Sequence, residues 1–198
     1  FVALSSLILK NNSIMKKFIL IFTLFILTTV SLKAQEYYWT SYSFNVDSED
    51  TEIVAKLTND YFSTENSKAE GVSVYLFENH FHDSSLSSSH EIVFAGTYDA
   101  MGNQYSQGDN PSWDLYLAKL GQYTKGFSAA AGRSIHSFGV PGTHPVQNLF
   151  WLKVNDAATF AKGFKKYNSK HNPDDRRVTL GQFNLGRSPL GETHYVLE

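Results

Sequence analysis

The chain has 198 residues, 17 Lys and Arg against 19 Asp and Glu, and no cysteine. A mildly acidic balance excludes a binder of nucleic-acid phosphates, which needs a basic surface, and the lack of thiols excludes disulfides, thiolate zinc sites and a lipid-anchored lipoprotein. With 42% hydrophobic and 15% aromatic residues, the chain can bury a core by packing alone.

The chain begins at Phe1, and its first methionine is Met15. Lys16 and Lys17 precede an apolar run from Phe18 to Val30, and Ser31 to Ala34 supplies a short polar step ending in a small residue. This is the layout of a secretory signal over residues 15–34, cleaved after Ala34, with residues 1–14 as upstream translation. The apolar run is shorter than the roughly 20 residues of a membrane span, so export into the periplasm or outside the cell is expected rather than an uncleaved anchor. Without Lys10, Lys16, Lys17 and Lys33, the mature chain keeps 13 basic and 19 acidic side chains. The Ala34-Gln35 junction resembles exported proteins of Bacteroidetes-type bacteria.

Tyr38, Thr40, Tyr42, Phe44 and Val46 alternate in an aromatic, β-branched stretch, which predicts a strand over residues 37–46. Asp47, Ser48 and Asp50 then offer N-caps to a helix whose face is Ile53, Val54, Leu57 and Tyr61. Gly71 opens a second strand through Val72, Val74 and Leu76, reaching at most Phe81, and a Ser-rich loop over residues 83–89 leads to a third strand at 92–98. Residues 99–110 (DAMGNQYSQGDN) read as a polar, glycine-bearing loop before a helix opened by Pro111. Residues 127–138 are ambiguous, with a short strand expected around 134–138. After a Pro- and Gly-rich linker at 139–145, a strand is expected at 146–154, a helix capped by Asn155 or Asp156, a turn at 172–175, and strands at 177–185 and 194–197.

The order strand, helix, strand, strand occurs on both sides of the linker. At an offset of 104, Val74 matches Val178, Leu76 matches Leu180, Ser89 matches Thr193 and His90 matches His194. At an offset of 108, residues 44–47 (FNVD) face 152–155 (LKVN). A β-α-β-β-α-β unit is the ferredoxin-like motif, and two in tandem resemble the dimeric α+β barrel superfamily, where antibiotic-biosynthesis monooxygenase-like proteins belong. The resemblance implies an α+β fold with a first unit at 35–138 and a second, incomplete unit at 146–198 that continues into a further amphipathic helix. It carries no motif of one member, so no catalytic residue comes with it.

His80 and His82 would share one face of a strand, with Asp83 beside them, a set suited to a divalent ion; the Ser-rich setting favours a solvated hairpin end. His90 and His194, each after Ser or Thr and each opening an apolar strand, would be proton carriers if they faced a shared cavity. A bland role, bonding backbone at a strand start, fits them more simply. Trp39 and Trp151 lie on the two first strands and would line a ligand cavity, or anchor the core. No phosphate loop, nucleophile elbow or zinc helix is present. The expectation is an exported, non-catalytic module for a small apolar ligand or a partner, with no cofactor and able to self-associate. The alternative that the resemblance permits is a cofactor-independent monooxygenase-like or haem-handling enzyme.

Overall fold

The computed structural model describes residues 36–65, 67–81, 87–140, 145–171, 176–186 and 191–198. The expected export signal, His82, Asp83, the turn at 172–175 and most of the linker lie outside the described residues. Strand β1 (Tyr37–Val46) leads through a turn closed by Asp50 N donating to Asp47 O (2.8 Å) into helix α1 (Thr51–Phe62). Asp50 takes the N-cap position, but its side chain makes no capping bond. Strands β2 (Ser73–Glu78) and β3 (His90–Thr97) follow.

Where a loop was expected over residues 99–110, the chain forms helix α2 (Tyr98–Tyr105). Its signals are short-range and easily passed over. The Thr97 hydroxyl accepts Ala100 N at 3.2 Å, Asp99 sits in the positive first turn, and Ala100 and Met101 are buried. Helix α3 (Pro111–Leu120) matches its expectation: Asn110 Oδ1 accepts from Ser112 N and Trp113 N, and Pro111 opens the first turn.

Residues 124–138 are one strand, β4 (Thr124–Phe138), far longer than the short segment expected. The run Ala129-Ala130-Ala131-Gly132 hides the alternation, because small residues here serve close approach. A Cβ at Gly132 would lie 2.0 Å from the Gln182 carbonyl and 2.4 Å from the Trp39 ring. Strand β5 (Leu149–Leu152), helix α4 (Ala157–His171), and strands β6 (Val178–Leu185) and β7 (His194–Leu197) complete the described chain. Asp156 Oδ1 caps α4 by accepting Thr159 N at 3.0 Å.

All seven strands join one curled antiparallel sheet in the order β2-β3-β1-β4-β6-β7-β5. Strand β4 couples its two parts. Its first portion pairs with β1, from Val46↔Thr124 to Tyr38↔Arg133, and its last portion pairs with β6, from Ala131↔Leu185 to Phe138↔Val178. On the outer face Phe44, Val46, Ile92 and Phe94 pack against Val54, Ala100, Met101, Tyr116 and Leu120 of the helices. Burying such side chains stabilises the fold by roughly 1.5–3 kcal/mol each before entropy is counted. The inner face carries a second, smaller cluster, centred on Trp39, Phe183 and Tyr195.

Candidate functional site

Side chains alternate across a strand, and residues paired in an antiparallel ladder share a face. From β1, Trp39, Ser41 and Ser43 point inward opposite Ala95, Val93 and Glu91 of β3. From the other half, Gly181 and Tyr195 pair, as do Tyr195 and Trp151, and Gly132 pairs with Phe183. The inner face therefore collects residues from both halves of the sheet.

Its centre is aromatic. Trp39 meets Phe183 edge to face at 5.4 Å and Tyr195 at 5.3 Å, while Trp151 stacks on Phe183 at 4.9 Å. Two glycines make the arrangement possible: Gly132 lies under the Trp39 indole, and a Cβ at Gly181 would come within 2.1 Å of the Tyr195 ring. Trp39, Phe183 and Tyr195 are buried, whereas Trp151, Val93, Ala95, Ala130 and Glu91 are half-buried.

Two polar features stand out against this apolar background. The indole N–H groups of Trp39 and Trp151 are buried with no hydrogen-bond partner among the described residues. Buried donors of this kind are rare, because leaving one unpaired costs about 1–3 kcal/mol. The second feature is Glu91. Burial pushes its carboxyl above the usual carboxylate range, and hydrogen bonds from Ser41 and Ser43 only partly hold it down. The Tyr195 hydroxyl is pushed up to about 12, mainly by burial, with Ser134 and Arg177 opposing the rise and Glu91 adding to it. Glu91 alternates along β3 with Val93 and Ala95, which pack against the cluster, and so shares its face of the sheet.

The residues singled out from sequence separate cleanly. Trp39 and Trp151 both reach the inner face and meet through Phe183. His90 and His194 do not accompany them. His90 is paired with Phe44, stacks on its ring at 6.1 Å and faces the helices, and His194 alternates with inward Tyr195. A shared cavity holding either histidine beside Trp39 or Trp151 is therefore corrected: alternation sends the imidazoles to the opposite face. Each has a local partner instead. Ser89 Oγ lies 2.9 Å from His90 Nδ1, and Thr193 Oγ1 lies 2.8 Å from His194 Nδ1. The same two hydroxyls accept Val46 N at 2.8 Å and Val154 N at 3.2 Å. Burial lowers the proton affinity of both histidines, with Glu78 opposing this at His90. His80 is exposed at the end of β2, and among the described residues no three His, Asp or Glu side chains gather as metal ligands.

Sequence reasoning missed Glu91, Phe183 and Tyr195. Starting the third strand at Ile92 left Glu91 outside it. Extending the alternation of Val93 and Ala95 back by two residues would have placed its carboxyl inward.

The described residues form a mixed α+β fold, one curled antiparallel sheet with four helices. No protein family matches the sequence, and no curated protein matches it. The fold is similar to a solved Fusobacterium nucleatum protein named "putative monooxygenase", with a TM-score of 0.56 and 16% identity over 83% of this chain and 75% of that one. It is also similar to a Lactobacillus acidophilus protein of the same name, with a TM-score of 0.52 and 10% identity over 81% of this chain and 74% of that one. At these identities the likeness is one of fold.

Proposed function

We propose that the chain is an exported domain that binds a small, largely apolar ligand on the inner face of its sheet. The observation that carries this is the pair of buried, unpartnered indole donors, Trp39 Nε1 and Trp151 Nε1, set in one aromatic cluster. An apolar surface with a few unsatisfied polar groups is the usual make-up of a small-molecule site. A ligand with a hydrogen-bond acceptor would satisfy the donors while covering the rings. Export rests on the Lys16-Lys17 start, the apolar run and the Ala34 step; no helix among the described residues is long and apolar enough to cross a membrane.

The domain is a duplicated ferredoxin-like unit in this reading, residues 35–138 and 146–198. In support, β1-β3-β2 and β5-β7-β6 are paired in the same order, and the hydroxyl–backbone–imidazole bonds at Ser89-His90 and Thr193-His194 correspond. Thermal melting with benzonitrile, a small aromatic acceptor, tests the binding site. A ligand that prefers the folded state raises the melting temperature, and the rise should disappear in Phe183→Ala. No rise at millimolar benzonitrile would count against the site.

Glu91 favours a second reading, an oxygenase-like enzyme needing no cofactor. A carboxyl with raised proton affinity beside an aromatic site is suited to take a proton from a bound substrate, and the two similar folds carry monooxygenase names. Oxygen uptake in the presence of an electron-rich hydroxyarene, lost in Glu91→Gln, would support it. The haem-handling variant fares worse, since His90 and His194 face away from the inner surface.

A further inference from the structure

Arg177 immediately precedes β6 and continues the alternation of Thr179, Gly181 and Phe183, so it belongs to the face that carries the rings. Its Nε is buried with no hydrogen-bond partner among the described residues. Among those residues Arg133 pairs with Glu36 and Arg176 with Glu198, but no acid pairs with Arg177. The indole N–H groups of Trp39 and Trp151 are buried in the same condition, and Trp39 as a whole is only 8% exposed. Three unsatisfied donor groups therefore share one face with a connected set of rings.

Tyr195 ties the guanidinium to those rings. It meets Trp39 at 5.3 Å, and its own ring crosses Gly181, where a Cβ would lie 2.1 Å away. Its hydroxyl bonds Ser134 and responds more strongly to Arg177 than to Glu91. Glu91 stands on the β1–β3 half of the face, with Ser41 and Ser43 as hydrogen-bond partners. Gln147 continues the alternation of Leu149 and Trp151 ahead of β5, and its amide oxygen is also buried without a partner among the described residues. An amide turned over presents two donors in place of that oxygen, so Gln147 suits an incoming acceptor as well.

We infer that the ligand of this face is an organic carboxylate, its apolar body on the ring cluster and its charged end towards Arg177, with the indole N–H groups as further donors. This rests on the binding reading and names its ligand class. A guanidinium withdrawn from water without a counter-charge is costly, and so is each buried N–H left unbonded. A carboxylate answers both needs, since it brings the opposite charge and its two oxygens only accept. A neutral acceptor would satisfy the donors and leave the charge uncompensated. An ammonium would add a second cation to a face whose free groups donate. A phosphate monoester would set about 1.5 to 2 negative charges against one guanidinium.

Benzoate and nitrobenzene share one planar outline, and only the first is charged. In calorimetric titration of the protein at neutral pH, benzoate should bind roughly tenfold or more tightly than nitrobenzene, the scale of one charge-assisted hydrogen bond. In Arg177→Gln that preference should vanish while nitrobenzene and benzonitrile binding persists. Arg177→Lys, which keeps the charge but not the planar fork, should retain part of it. Trp151→Phe keeps a ring and removes an N–H, and should weaken benzoate more than nitrobenzene. An Arg177 that only supported the fold would alter the affinity for both probes alike. Equal affinity for the two in the wild-type protein, or an undiminished preference in a folded Arg177→Gln protein, overturns the inference. Benzonitrile binding alongside either result leaves the site standing and removes only its ligand class. If benzonitrile, nitrobenzene and benzoate all fail to bind the wild-type protein, the site itself is refuted and this inference with it.

Discussion

At Gly132 and Gly181 a missing side chain decides what the neighbouring rings can do. The indole of Trp39 occupies the volume where a Gly132 Cβ would project. Gly132→Ala should therefore destabilise the protein by about 1–3 kcal/mol, as overpacking does, seen as a lower urea midpoint. Glu91 has an opposite sign at neutral pH. Its folded-state proton affinity is raised above the ordinary value of 4.5. As pH rises past that value the unfolded chain ionises first, so stability is complete below it and is lost as pH climbs through the folded titration. Glu91→Gln should therefore stabilise the protein at pH 7 and lose this advantage at pH 4, read from denaturation midpoints at both. His194 behaves in reverse. Burial lowers its proton affinity below the usual 6.5, so its contribution is intact above that pH and is lost as acid protonates the unfolded chain first. Of these residues, the sequence showed Trp39, Trp151 and the paired histidines. It could not show which face the histidines occupy, because that depends on strand register, and a one-residue shift reverses it.

Among the elements, legibility followed the strength of the local signal. The strand over 37–46, the helix opened by Pro111 and the last strand were readable from alternation, a first-turn proline and a cap. Helix α2 was not, since Gly102, Asn103 and Ser106 are loop-formers and its apolar contribution is confined to Ala100 and Met101. It is held by the Thr97 cap and by Gln104, whose side-chain oxygen accepts Ala69 N at 2.8 Å. Thr97→Ala should cost about 1 kcal/mol and increase amide exchange first within residues 98–105, followed by hydrogen–deuterium exchange. Strand β4 was obscured for a different reason. Its Gly132 lies under the Trp39 ring of the neighbouring β1 and against the Gln182 carbonyl of β6, so that position is set by the adjoining strands rather than by its own hydrophobicity.

For the molecule as a whole, the mixed α+β class was legible in the order of elements. The inner face proposed to bind was not, because it is assembled from β1, β3, β6, β7 and β5, which are distant in sequence and meet only when β4 joins the two parts of the sheet. A ligand received on this inner face would reach the indoles that lie there and spare the one that does not. The three tryptophans provide an internal control: Trp39 and Trp151 lie on the inner face, and Trp113 packs on the outer one. In a nitrogen–proton correlation spectrum titrated with benzonitrile, the indole signals of Trp39 and Trp151 should shift in a saturable way while that of Trp113 stays in place. Shifts confined to Trp113, or three unmoved indole signals at saturating ligand, would contradict it.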